Sequence, residues 1–199
     1  YPNKTEQDAD GYDLFMPSWK VDCNEPEYRV DKDGKKVPYA TPPGPSELIG
    51  TPVLYKNKVY VAIGQDPEHG DGVGRLSCID AKNGKVVWKY TDVGRTISTV
   101  SVHDDLVYVA EYAGLIHCLD ANTGKLYWTY DSFSRIWGST LVAGGKVLLG
   151  NEDGDLLVLD HGKDKPKVES INMGAPVYSS PVYVLSLIHI SEPTRLARI

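Results

Sequence analysis

Cysteine is scarce in this chain of 199 residues. The three present, Cys23, Cys78 and Cys118, are an odd number at wide spacing. They read as buried free thiols serving as small apolar residues, and no disulfide framework organises the chain. Long apolar runs are missing: none approaches the ~20 residues that a membrane-spanning helix needs. Positive charge is in deficit, with 21 Lys+Arg against 27 Asp+Glu and a net charge of −6. Without a basic cluster, nucleic acid and an anionic membrane surface are poor primary partners. No Ser-His-Asp, His-Glu-x-x-His or phosphate-binding glycine-loop arrangement occurs. His69, His103, His117 and His161 show no metal-ligand spacing in the sequence, and no window carries sustained helical periodicity.

A repeat is what the chain does have. DAKNGKVVW, from Asp80 to Trp88, returns forty residues later as DANTGKLYW, from Asp120 to Trp128. The interval also relates Gly74, Gly114 and Gly154, Cys78 and Cys118, and Asp80, Asp120 and Asp160. A fixed period of this length marks one supersecondary unit copied in tandem, which needs neighbours on both sides to bury its apolar faces.

Each unit contains four short β segments. First strands are predicted at 52–55, 100–103 and 140–143, and second strands at 59–63, 107–111 and 147–150. Third strands are predicted at 76–79, 115–119 and 155–159, with the fourth, tryptophan-bearing strands at 86–90 and 126–130. Turn chemistry separates them: Lys56-Asn57-Lys58, Asp104-Asp105 and Gly144-Gly145 between strands one and two, and Asn83-Gly84 and Thr123-Gly124 between three and four. The fold class is therefore all-β, a partial β-propeller of four-stranded antiparallel blades. The blades are expected at about 51–92, 98–131 and 138–173, with another starting at 179.

The signature apolar-x-Leu/Ile-Asp-Ala-x-x-Gly-Lys-x-x-Trp resembles the pyrroloquinoline-quinone (PQQ) type of propeller repeat. Asp80, Ala81, Gly84, Lys85 and Trp88 carry it, as do Asp120, Ala121, Gly124, Lys125 and Trp128. The third copy keeps Asp160 but replaces the rest with HGKDKPKVES, and Trp19 in SWKVDC is placed as the tryptophan of a preceding blade. The resemblance implies a family that includes quinoprotein alcohol dehydrogenases and a non-enzymatic lipoprotein of the outer-membrane β-barrel assembly machine. Trp88 and Trp128 are then packing residues between blades, and Asp80 and Asp120 turn caps.

Candidate function sits in the irregular parts. Segment 65–73, QDPEHGDGV, inserts eight residues into a hairpin and gathers Asp66, Glu68 and Asp71 with His69; it is either a divalent-cation loop or a solvated glycine-rich loop. Segment 22–50 is an inter-blade insertion, with a small hairpin of 28–30 against 36–39 turned at Asp33-Gly34, then a stiff Pro-rich connector. The segments entering each innermost strand supply Glu47, Arg95, Arg135, Trp137 and Tyr178. Two guanidiniums and aromatic faces suit a planar anionic ligand, or acidic peptide or glycan groups; equally, the arginines pair with Glu47, Glu111 or Glu152.

Residues 185–195, LSLIHISEPTR, are similar to the translation of a sequencing-library adapter. Residues 1–184 are accordingly expected to be a propeller fragment truncated at both ends, needing the missing blades of its own propeller, and 185–199 a non-native tail. A strand over 182–190 is nonetheless expected. Alcohol-oxidising quinoproteins carry an adjacent Cys-Cys pair that this segment lacks, so the expectation leans away from an enzyme. It is a scaffold without cofactor that binds protein or polymer partners in the bacterial envelope, periplasmic or otherwise extracytoplasmic by resemblance. The alternative is a fragment of a PQQ-dependent oxidoreductase, with PQQ and Ca²⁺ as cofactors.

Overall fold

The computed structural model describes residues 5–38, 44–184, 187–189 and 196–198. Strands β1 (Thr5–Gln7) and β2 (Asp13–Phe15) form a short antiparallel hairpin. Three four-stranded antiparallel sheets follow, each a meander. Blade one is β3 (Val53–Tyr55), β4 (Lys58–Ile63), β5 (Arg75–Asp80) and β6 (Val86–Tyr90). Blade two is β7 (Ser101–His103), β8 (Leu106–Ala110), β9 (Leu115–Asp120) and β10 (Leu126–Asp131). Blade three is β11 (Leu141–Ala143), β12 (Lys146–Gly150), β13 (Asp155–Asp160) and β14 (Val168–Asn172).

The turns fall where the sequence places them. Lys56 and Asn57 (φ 44° and 61°), Asp104 and Asp105 (46° and 59°) and Gly144 and Gly145 (57° and 74°) make the first hairpin of each blade, with both central residues left-handed. That geometry matches the twist of the flanking strands. Asp80 Oδ1 accepts from Lys82 N at 2.8 Å, and Asp120 Oδ1 accepts from Asn122 N and Thr123 N at 2.9 Å. Around Asp120, burial alone would raise the carboxyl pKa, but the Tyr127 hydroxyl and these N–H donors outweigh it and hold the group below the usual range.

Each central strand serves two cores at once, because successive side chains alternate between faces. Val107 and Val109 pack toward blade one with Tyr60, Leu76, Cys78 and Leu119. Leu106, Tyr108 and Ala110 pack toward blade three with Ile116, Cys118, Trp128, Val147 and Leu157. Blade one is covered on its other side by Trp19, Val21 and Cys23 against Val59, Val61, Ile63 and Ile79. All three cysteines are free and buried, and burial pushes the Cys118 thiol up to about 12.

The repeated tryptophan performs one task. Trp88 Nε1 donates to Ala121 O at 3.1 Å, and its ring lies over Gly124, where a Cβ would come within 2.6 Å. Trp19 lies in no strand, yet repeats this contact: its Nε1 donates to Ala81 O at 3.0 Å and its ring covers Gly84, where a Cβ would come within 2.7 Å. Gly84 and Gly124 (φ 72° and 73°) are thus needed twice, for the left-handed turn and for the ring above it.

Two expected elements are reduced. The hairpin of the 22–50 insertion amounts to one bridge, Val30 with Lys36, because Pro26 starts a 3₁₀ turn that takes in Tyr28 and Pro38 has no N–H to continue the ladder. Tyr39 and residues 41–43 of the Pro-rich connector lie outside the described residues. In place of one strand over 182–190, β15 (Val182–Val184) pairs antiparallel with β16 (Leu187–His189), which pairs with β17 (Leu196–Arg198). Leu185, Ser186 and Ile190 lie outside the described residues.

Candidate functional site

The segments entering the innermost strands are stitched side by side. Thr51 N donates to Thr99 Oγ1, Thr99 N to Ser139 Oγ and Ser139 N to Ser180 Oγ, at 2.9, 2.9 and 2.8 Å. Four successive repeats are thereby aligned by three hydroxyl-to-amide bonds, and residues four positions upstream, Glu47, Arg95 and Arg135, take matching places.

Arg95, Arg135, Trp137 and Tyr178 come together around a residue that sequence reasoning missed. The Arg95 guanidinium lies 4.3 Å from the centre of the Tyr112 ring and that of Arg135 5.5 Å from it. Trp137 meets the Tyr112 ring edge-on at 5.0 Å and 85°, and Tyr178 meets Trp137 at 5.8 Å and 88°. The result is a strip of alternating cationic and aromatic groups. Tyr112 itself is buried, and follows Ala110-Glu111 at the end of β8, where only its aromatic character could have signalled a role. At the exposed end, Arg135 has a side chain 60% accessible and reaches Glu152 only at 3.8 Å. Tyr178 is 51% exposed. Trp137 Nε1 is buried and has no hydrogen-bond partner.

Glu47 stands apart from the strip. Its backbone bridges to Gly64, its Oε2 accepts from Asp66 N at 3.3 Å, and its Oε1 lies 3.4 Å from His69 Nδ1. Arg95 pairs with neither Glu47 nor Glu111. It donates to Gly70 O and lies 3.9 Å from the exposed Asp71. The 65–73 loop thus folds against the edge of the strip. Asp66 there caps the 3₁₀ turn Pro67–His69 by accepting from Glu68 N at 2.9 Å.

Two clusters form that the sequence spacing hid. Between blades one and two, Tyr90 Oη lies 3.2 Å from His117 Nδ1, and His117 Nε2 lies 2.7 Å from Glu111 Oε1, all buried. Between blades two and three, one group among the described residues brings three metal-ligating atoms within 4.8 Å of each other: His103, Asp104 and His161. Sequence spacing alone gives no sign of this group. The two histidines are 58 positions apart, and only blade stacking joins them. Asp66, Glu68 and Asp71 are not gathered in this way.

The insertion borders a cleft of about 390 Å³ lined by residues including Asp22, Asn24, Arg29, Ser46 and Glu47. Of these, Asn24 and Ser46 exchange two hydrogen bonds, at 3.0 and 2.7 Å.

Blades of this repeat, with the tryptophan-over-glycine contact between them, define a PQQ-type propeller. The family model described as outer membrane protein assembly factor BamB matches residues 19–109 and 72–165, and the chain belongs to that family. No curated protein matches. Among solved structures, BamB from Moraxella catarrhalis is 22% identical with a TM-score of 0.58, over 71% of this chain and 42% of that one. A quinohemoprotein alcohol dehydrogenase from Comamonas testosteroni is 18% identical with a TM-score of 0.59, over 72% and 29%. The computationally designed Ika4 protein is 15% identical with a TM-score of 0.63, over 80% and 95%. At these identities the likeness is one of fold. The chain spans less than half the length of the two natural proteins.

Proposed function

We propose that the chain is part of a non-catalytic PQQ-like propeller that binds protein or polymer segments in the bacterial envelope, on the extracytoplasmic side. The observation that carries this reading is the open strip of Arg95, Tyr112, Arg135, Trp137 and Tyr178. Its outer end presents a guanidinium and a phenol to solvent, which suits an extended acidic or aromatic chain lying across it. Arg95 is already occupied by the Tyr112 ring and the Gly70 carbonyl, whereas Arg135, 60% accessible and 3.8 Å from Glu152, is the more open of the two to an anion. A Ca²⁺-bound quinone would need hard oxygen donors gathered beside an aromatic face, and the loop acids Asp66, Glu68 and Asp71 do not supply them at the strip. The family description, an outer membrane protein assembly factor, supports an envelope role. Among the described residues no helix is long and apolar enough to cross a membrane.

Titration with a labelled extended peptide carrying acidic and aromatic residues, followed by anisotropy, tests this reading. Binding is expected, weakened about threefold or more by Arg135→Ala. PQQ with Ca²⁺ is expected to leave the melting temperature and the quinone absorption unchanged. A clear rise in melting temperature with a spectral shift would instead support the second reading, a fragment of a PQQ-dependent oxidoreductase.

A further inference from the structure

The seam between blades two and three carries a group that the other seam lacks. Three backbone bonds are equivalent by repeat: Ala81 N donates to Asn57 O, Ala121 N to Asp105 O and His161 N to Gly145 O, at 2.9, 2.8 and 3.0 Å. At this position the regular copies have alanine and the degenerate copy has histidine. The facing hairpin differs in step: His103-Asp104 in blade two stands where blade one has Tyr55-Lys56 and blade three has Ala143-Gly144. Both halves of the seam have changed, and the changes face each other.

The geometry points to a binding site for one borderline divalent transition-metal ion of the Zn²⁺ class, held by His103 Nε2, Asp104 Oδ2 and His161 Nε2. His103 Nε2 lies 3.4 Å and His161 Nε2 3.8 Å from Asp104 Oδ2. Ligands held tetrahedrally at ~2.0–2.1 Å from Zn²⁺ stand about 3.3–3.4 Å apart; the Asp104 pairs are near that spacing, and with all three ligand atoms within 4.8 Å of one another the histidine pair needs at most about 1.4 Å of closure. Two imidazoles with one carboxylate favour such an ion over Ca²⁺ or Mg²⁺, which take oxygen donors. The two side chains of the hairpin are open to solvent, 56% and 73% exposed, which leaves the fourth position to water.

His161 is also oriented as a metal ligand is. Its Nδ1 lies 2.7 Å from the Tyr108 hydroxyl, which accepts from Gly162 N at 3.1 Å. With a metal on Nε2 the ring proton sits on Nδ1 and is donated to the second lone pair of that hydroxyl, fixing the tautomer and the plane of the ring. Tyr108 is fully buried, so the hydroxyl is a rigid support. In blade one the equivalent Tyr60 donates instead to Ala121 O, at 2.9 Å.

The test is calorimetric titration of the metal-free full chain with ZnCl₂, paired with Co²⁺ absorption. One ion per chain is expected, retained against excess Ca²⁺, with tetrahedral Co²⁺ bands and no thiolate-to-metal band. His161→Ala and His103→Tyr restore residues that other copies carry, so both should fold; His103→Tyr should melt as the parent does, and His161→Ala slightly lower, since it removes the imidazole from the buried Tyr108 hydroxyl. Each is expected to lower Zn²⁺ affinity at least tenfold, and Tyr108→Phe about tenfold. Zn²⁺ affinity in either histidine variant equal to that of the parent, a thiolate band pointing to the cysteines, displacement by Ca²⁺, or no binding at millimolar Zn²⁺ would each overturn the site.

Discussion

The two inter-blade seams are built from equivalent strands and close differently. At the first, Trp88 and Tyr60 both donate to one acceptor, Ala121 O. At the second, Trp128 Nε1 donates to Gly162 O at 3.0 Å, one residue past the equivalent of that alanine, while Tyr108 Oη accepts from Gly162 N. The tryptophan has kept a carbonyl partner although the motif around that carbonyl is lost. What the seam requires is therefore an acceptor at a given point in space, which several sequences can supply. Their interiors differ too. The first holds the Tyr90–His117–Glu111 chain of polar groups; in the second, Leu157 takes the place of His117 and Asn151 that of Glu111.

The largest expected effect comes from the tryptophans. Trp128 is 6% exposed in a core with Leu157 and Leu159, whereas Trp88 is only half-buried. Trp128→Ala should cost about 3–5 kcal/mol in urea unfolding, and Trp88→Ala measurably less. Equal costs would mean that the ring's depth does not set the strength of the seam. Next in size is Gly124→Ala, which meets the Trp88 ring at 2.6 Å in a left-handed turn. A loss of about 2–4 kcal/mol is expected. Gly145→Ala has nearly the same φ, 74°, and nothing within 4 Å, so it should lose only about 1–2 kcal/mol. The difference between them isolates the ring contact, and its absence would remove Trp88 from the account of why glycine stands there.

The parts of the fold that were legible in the sequence are those fixed by local chemistry repeated at a constant interval. Asn83-Gly84 and Thr123-Gly124 mark turns because only certain residues tolerate positive φ, and the β-branched runs between them mark strands. Trp19 was legible by its match to the tryptophan that ends a blade, although no strand surrounds it. The candidate strip was half legible: Arg95, Arg135 and Trp137 followed from alignment of strand entries, but Tyr112, on which they pack, comes from a different hairpin of blade two. Nor could spacing reveal His103 with His161, or His117 with Glu111 and Tyr90. Those contacts depend on how one blade is rotated against the next, and no local propensity encodes that rotation.

The smallest expected effect, a coupling between two substitutions, is the sharpest test of the difference between the seams. His117→Leu gives the first seam the leucine of the second, with a gain in apolar contact. It also leaves the Glu111 carboxylate, 7% exposed, without the imidazole that meets it at 2.7 Å. A buried group deprived of its partner costs about 1–3 kcal/mol, and a charged one more, so the single variant should be destabilised despite its added apolar surface. Glu111→Asn in the same chain supplies what the second seam uses: Asn151 turns its Oδ1 onto Asp155 N at 2.9 Å and satisfies itself within its own turn. The double variant should therefore recover the part of the loss due to Glu111, though not that due to the Tyr90 hydroxyl, giving a coupling of about 1 kcal/mol or more in a double-mutant cycle. Additive losses would mean that the polar chain between blades one and two is held by packing around it, and that the two seams are not interchangeable solutions to one problem.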